Sequence, residues 1–437
     1  MEDLAGYRGE VLKALKGAKA NIGDVLEAKT DWGTVTGTLV PRYEYGDDSH
    51  LVLKLSTGYN VGLSLDRLSG IRVKAKGERP AFKPPRAPAS RRDLPRVSII
   101  GTGGTIASRV DYRTGAVTPA VSAEELHSLI PELSEVAQVE TEILFNVLSE
   151  NMRASNWSGL ATRIVKGVKD GLAGVVVTHG TDTLGYTSAA LAFALRGIPI
   201  PVVFVAAQRS SDRPSSDATQ NLIGGVSAAA RADLSGVFVA MHLDENDEKI
   251  AFHRGTRVRK NHTSRRDAFL SVGVPLAAVW GKEGFEYVDG SLQKRGTKGF
   301  SPLTAFDEKV SLLKFYPSMP PSLVEAAHAS GARAIVIEGT GLGHTSGECV
   351  VALKRFVDGG GLAFMTSQCV NGRVDLNVYE TGRDLLRAGV IPLEDMLAET
   401  AVVKAMWALG NFHSAKEVED RMKENIAGET TTRAFLR

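Results

Sequence analysis

Two threonines in a glycine-rich segment are the first residues of the chain whose types and spacing suggest chemistry. Thr102 and Thr105 lie in the stretch GTGGTIAS, residues 101–108, directly after the apolar run of residues 97–100. Such a run predicts a short buried strand, and the glycines after it let the backbone turn sharply and approach a ligand. Sheets of the α/β class bind ligands at such strand ends. The residues alone leave two interpretations open, a plain structural turn and a threonine-based active site.

A second segment of the same kind follows the apolar run of residues 174–177. It has the sequence THGTDT, residues 178–183, and places Thr181 beside Asp182. Acyl transfer at a threonine needs a hydroxyl, a group that accepts its proton, donors for the oxyanion and groups that hold the substrate. Asp182 could hold a substrate ammonium group, and Lys260 in its neutral form could accept the proton of Thr181.

The glycine-rich segments do not fit nucleotide binding. A dinucleotide fingerprint that begins at Gly101 needs a glycine where Ile106 stands, and the Lys-Ser/Thr pair of a P-loop is absent. The second glycine segment, GTGLG at residues 339–343, is a weak phosphate signal, and we interpret it as a turn at a strand end.

The histidines do not form a metal-binding pattern. His179 lies next to the Thr181–Asp182 pair, but we expect a structural role for it. His253, His262 and His344 lack the spacing of metal ligands and are expected to be ordinary polar residues. We therefore predict no metal site in this chain.

The composition is that of a globular protein with sizeable hydrophobic cores. The chain has 437 residues, of which 43% are hydrophobic and 23% charged, which suffices for two or three domains. The formal net charge of +2 gives no global attraction to nucleic acid, so any RNA contact would be local or made through a partner. The two cysteines, Cys349 and Cys369, lack metal-ligand spacing, which favours a reducing cytoplasmic location. Neither a signal peptide nor a membrane span is predicted.

Residues 1–74 predict a short helix followed by a small β-barrel. Leu4, Val11, Leu12 and Leu15 fall near helical spacing, and five short β-like runs separated by Gly, Asp and Asn follow. Residues 75–95 are rich in proline and basic residues and predict a linker. The barrel could be a docking or RNA-contact module, or a structural appendage.

From residue 96 the chain alternates strands and helices, which predicts a parallel α/β core. We place a first α/β domain at residues 96–299 and a second at residues 300–437, with a helical tail. Residues 254–266, around Lys260, contain many basic side chains. They could face RNA or a protein partner, or they could form a solvated loop.

The two threonine segments together resemble the paired signatures of the bacterial-type L-asparaginase family. GGTIA at residues 103–107 and THGTDT at residues 178–183 each follow a predicted strand, in the order of the family, and the similarity extends over residues 97–409. The resemblance implies an asparaginase-like two-domain α/β core. It also implies that Thr105 is the nucleophile, Thr181 the second threonine and Lys260 the catalytic lysine, with Asp182 both catalytic and substrate-binding.

The same resemblance implies a substrate-contacting role for Ser149, followed here by Glu150. The sequence departs from the family on the loop after the nucleophile. The family has a tyrosine there, whereas this chain has Ala116, with Tyr112 four residues earlier. Tyr112 is therefore a candidate for the group that activates Thr105.

The barrel, the linker and the asparaginase-like core together resemble the D-subunit family of archaeal glutamyl-tRNA(Gln) amidotransferases. That resemblance implies hydrolysis of glutamine or asparagine, with the ammonia passing to an E subunit that binds Glu-tRNA(Gln) and uses ATP and Mg²⁺. It implies a cytoplasmic homodimer within a heterotetramer, and no cofactor bound by this chain. Two alternatives remain open, a free cytosolic L-asparaginase with an appended barrel and a catalytically silent RNA-binding module.

Overall fold

The computed structural model describes residues 4, 6–42, 47–57, 59–77, 93–103, 108–110, 117–119, 130–209 and 216–433. The chain divides into two compact units, Met1–Pro85 with Arg109–Thr118, and Arg86–Ser108 with Pro119–Arg437. Most of the predicted linker, residues 78–92, lies outside the described residues. No helix in the described part of the chain is long and apolar enough to cross a membrane.

The first unit is a helix packed on a five-stranded antiparallel sheet with the order β4-β3-β2-β1-β5. Its elements are α1 (Gly9–Gly17), β1 (Val25–Thr30), β2 (Gly33–Leu39), β3 (His50–Lys54), β4 (Asn60–Ser64) and β5 (Leu68–Ala75). Leu15 of α1 packs with Leu26, Leu39 and Leu53 of the sheet, and all four are fully buried. The helix and the five strands were predicted. Closure of the sheet into a barrel is not confirmed, because β4 and β5 are the two edges of the sheet among the described residues.

Apart from one strand pair that falls almost wholly within Arg109–Thr118 of the first unit, the strands after β5 belong to the second unit, where they form one large sheet, one smaller sheet and one strand pair. The strands after β5 are β6 (Arg96–Gly101), β7 (Ser108–Val110), β8 (Val117–Pro119), β9 (Gln138–Ile143), β10 (Gly174–Thr178), β11 (Pro201–Val205), β12 (Gly236–His242), β13 (Ile250–Arg254), β14 (Val258–Lys260), β15 (Phe269–Ser271), β16 (Ala278–Gly281), β17 (Gly284–Tyr287), β18 (Val310–Lys314), β19 (Ala334–Gly339), β20 (Leu362–Ser367) and β21 (Ile391–Pro392).

The helices of this unit cover the two sheets. They are α2 (Leu133–Val136), α3 (Ala154–Lys169), α4 (Leu184–Ala194), α5 (Ala218–Arg231), α6 (Ser322–Ala329), α7 (Gly347–Asp358), α8 (Glu380–Arg387), α9 (Ala398–Asn411) and α10 (Ala415–Lys423).

The large sheet has eight strands in the order β17-β16-β13-β12-β11-β10-β6-β9. Strands β9, β6, β10, β11 and β12 are parallel, as predicted, whereas β13, β16 and β17 continue the sheet in antiparallel fashion. All five residues of β10 and all five of β11 are buried, because helices cover both faces. Val175 and Val177 face the cluster that includes α3 and α4, and Val176 faces the cluster that includes α5. This alternation is that of a central strand of an α/β sheet.

The smaller sheet is parallel, with the order β18-β19-β20-β21. One of its faces shares a hydrophobic cluster with α4 and α9, in which Phe193 and Trp407 lie 5.8 Å apart between ring centroids. The chain after α10 is also held in the interior. Lys404 of α9 and Glu429 form an ion pair at 2.5 Å in which both side chains are fully buried. The backbone N–H groups of Ile426 and Ala427 donate to the same carboxylate.

We expect Lys404→Ala to lower the free energy of unfolding by about 3–5 kcal/mol, because it leaves the Glu429 carboxylate buried without its counter-ion. Urea denaturation of the full chain measures this. Lys416→Ala, which removes an exposed ion pair with Asp420, is the matched control and should change stability by less than about 1 kcal/mol. Equal stabilities for the two variants would contradict the expectation.

Candidate active site

The parallel pairing of β6 with β10 brings the two threonine segments to the same edge of the large sheet. Gly101 is the register partner of Thr178, so the residues that follow each strand are neighbours. Both the backbone N–H and the hydroxyl of Thr102 donate to the carbonyl of Thr178, at 3.1 and 2.8 Å. Thr102 is fully buried. Its hydroxyl therefore holds the two segments together, and Thr102 is a structural residue.

Thr105, the predicted nucleophile, lies outside the described residues, as do Tyr112 and Ala116 on the loop that follows it. Its role stays a prediction, as does that of the residue that activates it. The described chain on either side ends at Gly103 and resumes at Ser108, the first residue of β7.

Ser149 lies against the second threonine segment. The hydroxyl of Thr183 donates to the carbonyl of Ser149 at 2.6 Å. A Cβ on Gly180 would lie 2.7 Å from the Cβ of Ser149, so only glycine allows this close approach. Ser149 is buried, whereas Glu150 beside it is exposed. The structure thus brings Ser149 to the segment that carries Thr181 and Asp182, and leaves Glu150 facing solvent.

Lys260 reaches the same place from 79 residues further along the chain. Its Nζ donates to Thr181 Oγ1 at 2.9 Å and to Asp182 Oδ1 at 2.9 Å. The Lys260 side chain is 16% exposed and that of Asp182 71% exposed. The lysine is therefore held between the two side chains, while most of the Asp182 carboxylate is open to an incoming ligand. A hydroxyl, an amine and an open carboxylate in contact can transfer a proton and hold a substrate cation.

His179 does not contribute an acid–base group at neutral pH. It is fully buried, its Nδ1 lies 2.7 Å from the carbonyl of Gly180, and its ring meets that of Phe204 edge-on. Burial lowers the pKa of His179 to about 4. The expected structural role fits this environment.

The interpretation of residues 254–266 as a solvated or RNA-facing loop is wrong for its first half. Arg254 forms an ion pair with Asp289, and Arg257 is only 1% exposed. Neither Arg257 nor Thr183 was identified from the sequence as a residue that supports the site. For Arg257, the available sequence signal was the alternation of charged and apolar residues in Arg257-Val-Arg-Lys260. In a strand, successive side chains point to opposite faces.

The second unit matches known enzymes along most of its length. Residues 96–290 match the family model "Asparaginase, N-terminal", and residues 309–422 match "Glutaminase/Asparaginase C-terminal domain". A thermostable L-asparaginase from Thermococcus kodakarensis is 33% identical with a TM-score of 0.65, over 77% of this chain and 100% of that chain. An L-asparaginase I from Vibrio cholerae is 25% identical with a TM-score of 0.66, over 77% of this chain and 99% of that chain. The fold is that of the asparaginase class of α/β proteins.

The first unit identifies a particular family within the asparaginase class. Residues 20–73 match the "GatD N-terminal domain" model. The D subunit of the glutamyl-tRNA(Gln) amidotransferase of Pyrococcus abyssi is 47% identical over 95% of this chain and 96% of that protein. Its counterpart from Metallosphaera sedula is 47% identical over 99% of this chain and 98% of that protein. The chain belongs to the D-subunit family of glutamyl-tRNA(Gln) amidotransferases, as the sequence motifs predicted.

We expect acid to destabilise the fold through its buried histidines. Burial lowers the pKa values of both His179 and His253 to about 4, whereas in the unfolded chain a histidine titrates near 6.5. Between these values the unfolded state binds more protons. The free energy of unfolding is therefore at its full value above about pH 6.5. It falls by about 2–3 kcal/mol per histidine as the pH is lowered to about 4.

Urea denaturation of the wild type and of His253→Gln at pH 7 and pH 4.5 measures this loss. His253→Gln should show the smaller fall in stability between the two pH values. An equal or steeper fall in the stability of His253→Gln would contradict the pH dependence expected from the buried His253.

Proposed function

We propose that the chain is the amidohydrolase subunit of a tRNA-dependent amidotransferase. It hydrolyses the side-chain amide of glutamine, and a partner subunit uses the ammonia in the ATP-dependent conversion of Glu-tRNA(Gln) to Gln-tRNA(Gln). The observation that carries the proposal is the contact of Lys260 Nζ with both Thr181 Oγ1 and Asp182 Oδ1, at the sheet edge where the first threonine segment begins.

In the proposed reaction the hydroxyl oxygen of Thr105 attacks the carbonyl carbon of the side-chain amide. The C–N bond breaks, the nitrogen takes up the proton that the Thr105 hydroxyl releases and leaves as ammonia, and an ester on Thr105 remains. Water then attacks the ester carbon, the bond to Thr105 breaks, and the threonine regains its proton. Lys260 in its neutral form accepts the hydroxyl proton of Thr181. The Thr181 oxygen can then accept a proton from the attacking water.

Asp182 and Ser149 hold the substrate in this scheme. The 71%-exposed carboxylate of Asp182 can accept hydrogen bonds from the α-ammonium group of an amino acid, and Ser149 lies on the adjoining turn. Glutamine and asparagine share that ammonium group and differ by one methylene. Glu150, exposed beside Ser149, is a further candidate contact.

The extent of the similarity favours an amidotransferase D subunit over a free asparaginase. The L-asparaginase structures cover 77% of this chain, whereas the D-subunit relatives cover 95% and 99% of it, including the first unit. We therefore propose the E subunit of the amidotransferase as the partner. In this proposal the E subunit binds the tRNA and uses ATP and Mg²⁺, and two copies of the present chain form a homodimer within a cytoplasmic heterotetramer.

Replacing the nucleophile tests both halves of the proposal. In the complex with its partner, Thr105→Ala should abolish amidation of Glu-tRNA(Gln) with glutamine as donor. It should leave amidation with added ammonium chloride near the wild-type rate, because the partner then needs no ammonia from this chain. The ammonium-dependent rate is the internal control for folding and assembly. Full glutamine-dependent amidation by Thr105→Ala would rule out this nucleophile.

Replacing Lys260 tests the proton transfer. We expect Lys260→Ala and Lys260→Arg both to lower kcat for ammonia release from glutamine by about 10²–10⁴, because arginine restores the charge beside Asp182 but does not accept a proton. Steady-state kinetics at saturating glutamine measure this. A near-normal kcat for Lys260→Arg would show that the charge of Lys260 matters and that it is not the base.

A further inference from the structure

The strand that carries Lys260 has little support from its own sheet. β14 pairs with β15 in a two-stranded antiparallel ladder, in which Val258, Arg259 and Lys260 face Ser271, Leu270 and Phe269. A lone two-stranded hairpin is only marginally stable in water. Val258 and Phe269 anchor one side of it in the hydrophobic core. The position of the Lys260 amine, 2.9 Å from Thr181, therefore depends on what holds the other side.

Arg257, the residue just before β14, fixes the other side of the hairpin. Its guanidinium donates from Nε to the carbonyl of Val272 at 2.9 Å, and from Nη1 to the carbonyls of Asp395 and Glu429 at 2.7 and 3.0 Å. Its Nη2 contacts Asp395 Oδ2 at 3.0 Å. A planar fork with this many acceptors fixes both the position and the orientation of the side chain.

The two faces of the strand have different partners. Arg257 and Arg259 both contact the C-terminal part of the chain, and Arg259 Nε lies 3.3 Å from Glu399 Oε1 of α9. Lys260 points to the segment after β10. Since side chains alternate along a strand, an anchor on one face sets where the other face points. Contacts with the C-terminal domain thus orient Lys260, whose own hydrogen-bond partners lie in the first α/β domain.

The acceptors of Arg257 are themselves fixed by the end of the chain. Thr431 donates its N–H and its hydroxyl to the Asp395 carboxylate, at 2.9 and 2.5 Å. Glu429 is held by the buried ion pair with Lys404. Gly273 leaves the space that the guanidinium needs, because a Cβ there would lie 2.2 Å from Nη2 of Arg257. The pocket around Arg257 is therefore built from the residues that directly follow β15, the turn before α9 and the C-terminal segment.

We propose that Arg257 is a positioning residue that sets the distance between the Lys260 amine and Thr181, and that the C-terminal segment completes its site. The inference rests on the role proposed above for Lys260. Arg257 touches no reacting atom and acts through the three residues of β14. A shift of about 1 Å in a catalytic group can cost about 10²-fold in rate. Loss of Arg257 should therefore lower kcat and leave KM nearly unchanged, because Asp182 and Ser149 stay in place.

Chemical rescue separates positioning from a loss of stability. A cavity of about 330 Å³ is lined by Arg257, Gly273, Asp395 and Arg373, among others, which gives a guanidinium ion a route to the vacated site in Arg257→Ala. We expect kcat for ammonia release from glutamine to fall at least about 10-fold in Arg257→Ala, with KM changed less than about threefold. Guanidinium chloride at tens of millimolar should restore kcat several-fold, and sodium chloride at equal ionic strength should not.

Arg295 offers a matched control in the same chain. Its guanidinium also donates to several backbone carbonyls, those of Ala173, Ala228, Ala229 and Ala232, and among the described residues none of its hydrogen bonds goes to β14 or β15. Arg295→Ala should lower the Tm, keep kcat and show no recovery with guanidinium. If Arg257→Ala does not fold, Arg257→Lys carries the same comparison of kcat with KM, and guanidinium should not restore its kcat since lysine fills the site.

The outcomes distinguish this inference from the proposed function. Lys260→Ala, assayed in parallel, should lose activity and show no recovery with guanidinium. Normal kcat in Lys260→Ala would remove the role proposed for that lysine and the positioning role with it. A loss in Lys260→Ala together with normal kcat in folded Arg257→Ala or Arg257→Lys would overturn only the positioning role. A kcat loss in Arg257→Ala that guanidinium leaves unchanged would also overturn it.

Discussion

The pairing of β6 with β10 is the constraint on which the rest of the site depends. Because the two strands are parallel and Gly101 is in register with Thr178, both chain segments leave the sheet at the same edge and at the same height. The Thr102 hydroxyl then ties the two segments through the Thr178 carbonyl. A shift of one residue in this register would move Thr102 away from the Thr178 carbonyl and break both of its hydrogen bonds.

The site is assembled from elements with different kinds of support. Thr181 and Asp182 follow a strand buried on both faces by helices, and their position is set by the core. Lys260 stands on a two-stranded hairpin outside the large sheet. Buried charged groups, Arg257 with Asp395 and Lys404 with Glu429, join this hairpin to α9 and to the end of the chain. Such groups are costly to bury unless every polar atom finds a partner, and here hydrogen bonds to backbone carbonyls supply the additional partners.

The histidines illustrate how burial decides what a residue can do. His179 lies next to the Thr181–Asp182 pair in the sequence, and by type alone it is a candidate base. Its ring is inside the protein, where desolvation lowers its pKa to about 4. The ionisable group that contacts Thr181 is instead the amine of Lys260, 79 residues further along the chain.

The sequence by itself determined the helix and strands of the first unit and the buried strands β6 and β10 of the second, because short apolar runs bounded by glycine and proline have few alternatives to buried strands. It also determined the candidate residues Thr181, Asp182 and Lys260 and the family, because the two threonine segments follow strands in a fixed order. It could not determine that β13, β16 and β17 run antiparallel, since an apolar run does not encode the direction of its neighbour. Nor could it determine that Arg257 is buried, because a run of basic residues has the composition of a solvated loop until acceptors from distant segments surround it. The tertiary structure decided both, since Val272, Asp395 and Glu429 meet Arg257 only when the C-terminal segment packs against β14 and β15.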